Sequence, residues 1–318
     1  MIRTVVIALG GNALSPHSAL GTIAEQFAHT RDALRQIMPF VREGYNVAIA
    51  HGNGPQVGDE LRRVELAAGK VPVLPLGICV AATQGTIGYM VEQSLQNALL
   101  DADIHRDVVT FISQVIVDRN DPALAEATKF IGHRFNQADA ERLAAQYGWS
   151  IAQQEPDIWR RVVPSPQPIR INNARSIRKL VESGSIVITV GGGGIPAFVM
   201  ENGHFEGVDA VIDKDLAAAV LGAEIGAQDL YILTDVDGVY LNFGTDRQTP
   251  IAAMTVSEAQ AYLAQGQFPA GTMGPKIEAA IRFLQSGGQR VVITGIGSVT
   301  EAMQHRSGTV IENCSQPA

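Results

Sequence analysis

Lys129, Lys214 and Lys276 stand where a chain could neutralise phosphate charge. Lys214 lies between Asp213 and Asp215 at the head of an Ala/Leu-rich segment. Lys276 follows Gly271-Thr272-Met273-Gly274-Pro275, and Lys129 sits in Thr128-Lys129-Phe130-Ile131-Gly132. Apolar runs end abruptly in small residues at Gly10-Gly11-Asn12, at His51-Gly52-Asn53-Gly54-Pro55 and at Gly191-Gly192-Gly193-Gly194. Moving a phosphoryl group between two anions requires its charge to be neutralised and both reactants to be held in line, with little covalent work for the protein. Backbone N–H groups, lysines and helix N-termini suffice for that, and glycine lets backbone approach an anion closely. The pattern describes a crevice for phosphate.

Each residue also has a plainer reading. Lys214 between two aspartates suits a solvated first helical turn, although the glycines before it and the apolar helix after it place it at a sheet rim. Gly-x-x-Gly-Pro-Lys does not match Walker A spacing, and a capped surface helix accounts for Lys276 about as well. Lys129 alone reads as a surface lysine. Asn12 and Asn53 also suit turns that tolerate left-handed backbone, and His51 reads as a base or as a hydrogen-bonded structural histidine. Gly191–Gly194 invites a dinucleotide reading. The G-x-G-x-x-G after the first strand, with an acidic residue about 20 positions on, is absent. No Cys/His cluster has metal-ligand spacing, so the metal expected is Mg²⁺ carried by nucleotide phosphates.

The elements that must position these residues alternate between strand-like runs and helical periodicity, the pattern of βαβ units and a mainly parallel sheet. Val5–Leu9, Asn46–Ala50, Val108–Val117, Ile186–Val190, Leu230–Thr234 and Arg290–Thr294 read as strands. Ile23, Phe27, Leu34, Ile37, Met38 and Val41 share a helical face, a helix-compatible region runs from about Thr83 to Leu100, and Asp235–Tyr240 reads as a turn. From about 118 to 168 the rhythm breaks, and this stretch reads as a small subdomain set over the sheet of an otherwise single domain spanning 1–318. With 318 residues, 46% hydrophobic and 18% charged, the chain has the composition of a globular protein. A net charge of −8 argues against nucleic acid or an anionic membrane as partner. Cys79 and Cys314 offer no disulfide framework. The apolar stretch Val71–Ala82 is too short for a membrane span and holds two prolines. A cytoplasmic protein is expected.

Read together, these motifs resemble the carbamate kinases of the amino-acid-kinase fold. The resemblance rests on Gly10-Gly11-Asn12-Ala13-Leu14, His51-Gly52-Asn53-Gly54-Pro55-Gln56-Val57-Gly58, Gln84-Gly85-x-Ile87-Gly88-Tyr89 and Gln114-x-x-Val117-Asp118-x-Asn120-Asp121-Pro122. It continues through Lys129, Arg160-Arg161-Val162-Val163, Gly191–Pro196, Val211–Asp215, Leu233–Asp237 and Met273–Lys276, in family order over essentially the whole chain. It implies an α/β three-layer αβα sandwich around a mainly parallel open sheet, a protruding subdomain, a homodimer, and the reaction ATP + carbamate ⇌ ADP + carbamoyl phosphate. By position, Gly10, Gly11, Asn12, Gly52 and Asn53 are implied to hold carbamate and the transferring phosphoryl group. Lys129, Lys214 and Lys276 are implied to be catalytic, with Asp213 organising the lysines. Thr234, Asp235, Tyr240, Met273 and Gly274 are implied to line the ATP/ADP side. Gln154–Trp159 departs from the family's acidic-Ala-Gly-Arg-Gly-aromatic run, Gln167 stands in its Ser-Pro-Lys-Pro, and Phe130 replaces a proline after the lysine. These changes leave the pathway, arginine or purine degradation, open. They also keep a kinase for another small carboxylate as the second reading. A non-catalytic nucleotide or anion sensor is a third, opposed by the retained lysines.

Overall fold

The apolar runs become an eight-stranded sheet ordered Ala253–Thr255, Thr309–Glu312, Arg290–Gly295, Asp229–Thr234, Thr4–Leu9, Asn46–His51, Ile186–Ile188, Val108–Thr110. This is a computed structural model, and it describes residues 2–14, 21–269 and 271–313. From Arg290–Gly295 to Val108–Thr110 every neighbouring pair is parallel, while Thr309–Glu312 pairs antiparallel to Arg290–Gly295. Strand side chains alternate between faces. Val5, Ile7 and Leu9 therefore meet Leu34, Ile37 and Phe40 of the helix Ile23–Arg42. Val6 and Ala8 meet the opposite layer, formed by Lys214–Ile225 and Met273–Gln285. Both faces are covered, which is why the central strands read as unbroken apolar runs. The expected αβα sandwich is present.

Two strand expectations needed correction. Val108–Val117 is not one strand. Val108–Thr110 ends the main sheet, and Gln114–Val117 joins a second sheet with Ile195–Val199, Phe205–Gly207 and Pro168–Ile171. Between them Phe111 N donates to the Ile188 carbonyl at 2.8 Å and Ser113 N donates to Gln84 Oε1 at 2.6 Å. These bonds turn the chain out of the first sheet. The strand expected over Ile186–Val190 stops at Ile188, because Val190 adopts φ 45°, ψ 35°. The helix read from Thr83 begins at Leu76, directly after Pro75. No helix among the described residues is long and apolar enough to cross a membrane.

Within the 118–168 stretch, Lys129–Phe135, Ile158–Val163 and Ser150–Glu155 form a three-stranded antiparallel sheet beside the helix Gln137–Tyr147. Arg161 fastens it to the body. Its guanidinium lies 4.8 Å from the Trp149 ring centroid and 3.4 Å from Asp209 Oδ2, and Asp209 Oδ1 in turn accepts from Leu76 N at 3.2 Å. Cys79 is buried, whereas Cys314 lies outside the described residues.

The parallel strands end along one rim, where the glycine turns interlock. Gly10 N donates to the Leu233 carbonyl at 3.2 Å, and Gly52 N to the Leu9 carbonyl at 3.0 Å. A Cβ on Gly52 would stand 2.6 Å from Gly11 N and 2.8 Å from Gly11 Cα, and backbone cannot yield as a flexible side chain can. Gly52→Ala is therefore expected to cost about 1–3 kcal/mol, read as a lower urea midpoint at unchanged m value. An unchanged midpoint would show that the two turns have room to spare.

Candidate active site

A single buried carboxylate draws two of the lysines together. The helix Lys214–Ile225 is apolar all round, so even its first turn is covered and Asp215 is only 2% exposed. Lys214 Nζ donates to Asp215 Oδ1 at 2.5 Å, and Lys276 Nζ lies 3.3 Å from Oδ2. Lys276 arrives from the N-terminal turn of the helix Met273–Gln285, where its Nζ also donates to the Thr272 carbonyl at 3.2 Å. Burial alone pushes the Asp215 carboxyl up, but the Lys214 and Lys276 charges and their hydrogen bonds outweigh it and hold the group below the usual carboxylate range. Asp215 is thus an anion at neutral pH, and with its two lysines carries net positive charge.

Asp213 serves a different lysine. Its Oδ1 caps the helix by accepting from Asp215 N at 2.9 Å, and its Oδ2 accepts from Lys129 Nζ at 3.4 Å. The organising role expected of Asp213 alone is divided in the geometry, with Asp213 holding the lysine of the small sheet and Asp215 holding the other two. The signal for Asp215 was an aspartate heading a helix with no polar face, which has no route to water.

Around the cations the turns form a cradle. Gly10 and Gly11 lead into a short helix, Gly11–Leu14; the Asn12 side chain lies outside the described residues. Asn53 is buried and donates from Nδ2 to Thr83 Oγ1 at 2.9 Å. Gly192, at φ 64°, presses against the Asn53 amide where any Cβ would overlap it. That loop is held by Ser113, whose Oγ accepts from Val190 N at 3.1 Å and lies 2.7 Å from Thr189 Oγ1. Positive φ at a β-branched residue is costly and persists only where the surroundings enforce it. His51 is fully enclosed. Its ring N–H at Nδ1 donates to the Gly52 carbonyl at 3.1 Å, and burial lowers its pKa to about 4. It is a neutral structural histidine, the second of the two readings its position allowed.

Two cavities flank the cradle. One, of about 410 Å³, is lined by Gly10, Gly11, Lys214 and Lys276 together with Thr234, Asp235, Tyr240 and Met273. Gly274 is not in that wall; it is buried behind it, its N–H donating to the Pro269 carbonyl at 2.9 Å. Phe243, Gln267 and Phe268 also face this cavity and carried no sequence signal. The other, of about 720 Å³, lies under the small sheet and is lined by Asn53, Lys129, Phe130, His133, Arg134 and Arg160. Lys214 and Lys276 thus line the first cavity, and Lys129, Arg134 and Arg160 the second. Such an arrangement can stabilise charge passing from one to the other.

Residues 3–295 match the sequence model of the Amino acid kinase family. Carbamate kinase of Pyrococcus horikoshii is 44% identical over 313 residues, which cover 98% of this chain and 99% of that one. The chain belongs to the carbamate kinase family. The solved carbamate kinase from Giardia lamblia bound to AMP-PNP superposes with a TM-score of 0.92 at 37% identity, covering 98% of both chains. The carbamate kinase-like protein YqeA of Escherichia coli strain K12 is 40% identical over 98% of this chain and 99% of its own length. Carbamate kinases are ATP-dependent phosphotransferases, and two of the three lysines quoted from sequence, Lys214 and Lys276, meet at Asp215 in this member of the family.

Asp215→Asn should leave Lys214 and Lys276 without the charge that aims them. The expected result is a fall in kcat of about 10²–10³-fold together with a lower unfolding temperature, since two largely buried ammonium groups lose their partner; turnover within a few-fold of wild type would show that the lysines hold their places unaided. His51 makes a pH prediction. Its folded pKa of about 4 lies below the ordinary 6.5, so the unfolded chain binds the extra proton between those values. This contribution is complete above pH 6.5 and is lost as pH falls toward 4, reaching about 3 kcal/mol. Urea titrations at pH 7, 5.5 and 4.5 should show the gap between wild type and His51→Gln shrinking with acidity. A constant gap would contradict it.

Proposed function

We propose that this chain transfers a phosphoryl group reversibly between ATP and carbamate, with the convergence of Lys214 and Lys276 on buried Asp215 as the observation that carries the reading. The nucleotide occupies the cavity of Thr234, Asp235, Tyr240 and Met273, with its phosphates toward Lys214 and Lys276. The acceptor lies by Gly10, Gly11, Gly52 and Asn53, with the Asn12 backbone beside them, and Lys129 approaches from the small sheet. A carbamate oxygen attacks the γ-phosphorus; the bond to the β,γ-bridging oxygen breaks, and its electron pair leaves with ADP. The attacking oxygen is already anionic, so no residue has to remove a proton from it. Mg²⁺ supplies charge neutralisation on the polyphosphate. Asp213 and Asp215 face lysines, which fits an ion that would be carried by the nucleotide phosphates.

The reading extends to a cytoplasmic homodimer acting in arginine or purine degradation. For the dimer, Ile78, Tyr89 and Leu100 are 52%, 60% and 71% exposed on the helix Leu76–Asp101. Their eleven-residue spacing is about three helical turns, which sets them on one exposed face with Ala82, Thr86, Gln93 and Gln96 between them, a mixed apolar and polar surface that a second copy can cover. A kinase for another small carboxylate is favoured by one observation, the roughly 720 Å³ of the cavity that Lys129 lines. That is far more than carbamate fills.

ATP formation from ADP and carbamoyl phosphate tests the proposal. Wild type should form ATP, and Lys214→Ala should do so about 10²–10³-fold more slowly. Absence of ATP from wild type overturns the reading, and much faster turnover of acetyl phosphate or another acyl phosphate transfers it to a kinase for another small carboxylate.

A further inference from the structure

The nucleotide cavity has a polar group that the transfer mechanism leaves unused. Gln267 lies just beyond the helix Val256–Ala264, with its backbone N–H donating to the Tyr262 carbonyl at 3.1 Å. Its side chain faces the cavity. The amide orientation follows from its partner. Asn242 N donates to Gln267 Oε1 at 3.1 Å, and a backbone N–H can bond only the amide oxygen. Nε2 is therefore the end left over, and among the described residues it has no hydrogen-bond partner.

Its surroundings fit a flat heteroaromatic ring. Tyr240 and Phe243 stand with ring centroids 5.9 Å apart, and buried Phe268 lines the same cavity. Tyr240 is held by its hydroxyl, which donates to Asp237 Oδ1 at 2.6 Å. Asn242, at φ 50°, starts a tight turn in which its carbonyl accepts from Thr245 N at 3.2 Å and Thr245 Oγ1 at 2.8 Å. The Asn242–Gln267 bond thus ties the aromatic hairpin to the end of the helix and leaves the donor end of an amide that lines the cavity unspent. The cations gather around Asp215, so phosphates and base have separate chemistries to bind.

We propose that Gln267 reads the base of the nucleotide: its Nε2 donates a hydrogen bond to a ring nitrogen of a purine lodged against Tyr240 and Phe243. Adenine ring nitrogens N1, N3 and N7 are acceptors, so one donor selects a ring edge that carries one. Gln267 is a binding and specificity residue, not a catalytic one. Losing it weakens nucleotide binding and leaves the transfer step intact. The inference rests on the cavity being the nucleotide site of the proposed kinase.

The test compares ADP with its 1-deaza, 3-deaza and 7-deaza analogues in ATP-analogue formation from carbamoyl phosphate. For wild type, one analogue should show a KM raised about three- to tenfold at unchanged kcat, the worth of one neutral hydrogen bond. Gln267→Ala should raise the KM for ADP by a similar factor and treat that analogue like ADP. Gln267→Glu keeps an acceptor for Asn242 N–H but loses the donor. It should match Gln267→Ala in KM, separating base contact from hairpin support. A flat wild-type series, or an unchanged deaza penalty in Gln267→Ala, overturns the proposal. If wild type forms no ATP from ADP, the kinase reading fails by itself, and calorimetric titration with the same four nucleotides still decides what Gln267 does.

Discussion

The site depends on one carboxylate kept from water between two ammonium groups. Burying Asp215 alone would drive it to take up a proton. Lys214 and Lys276 prevent that, and their positions are set by the charge they protect. The arrangement does not owe its value to stability, since a buried ion pair often does no better than an apolar substitute. Its value is direction. Flexible lysines lose most of their alternative rotamers when anchored to a fixed anion, and two positive charges then hold their places before any phosphate arrives. Preorganised charge of this kind costs no reorganisation as transfer proceeds.

The same logic explains what the site lacks. Carbamate is an anion whose oxygen needs no deprotonation, so the residue nearest to a general base can be spent on structure. His51 is sealed, neutral and bonded to the Gly52 carbonyl, where it braces the turn between two glycine loops. Gly191 packs so closely against its ring that a Cβ there would stand 2.5 Å from Nε2. The histidine, the asparagine beneath Gly192 and the strained Val190 are parts of one support. They shape the cradle that the lysines charge.

Much of this was legible in the residues, for reasons that can be stated. Strands buried on both faces write themselves as apolar runs, and glycines at their ends mark where backbone approaches backbone, so the sheet and the rim of the site are local signals. The lysines are named by motif. What could not be read locally depends on contacts between distant segments. Gln84 and Ser113, 29 residues apart, turn the chain at Phe111–Ser113 and split one expected strand between two sheets. Asp215 meets Lys276 across two helices. Gln267 reaches the cavity only because a helix end and a hairpin converge, and neither has a composition that announces it.

Phe130 and the segment Gln154–Trp159 fall in or beside the small three-stranded sheet, and the bonds there show how they reach Lys129. Gln154 accepts from Arg160 Nη1 at 3.2 Å, while Nη2 of the same guanidinium donates to the Gly132 carbonyl at 2.9 Å. Gly132 belongs to the strand that begins with Lys129. The altered segment is therefore linked through one arginine to the strand presenting the lysine that Asp213 receives. Asp213 in turn caps the helix on which Lys214 and Asp215 sit. Sequence change in the small sheet can thus adjust where Lys129 stands without touching the buried triad of Lys214, Asp215 and Lys276. A fold built this way lets the small sheet vary while Lys214 and Lys276 stay fixed, because Lys129 and the other two lysines are held by different aspartates.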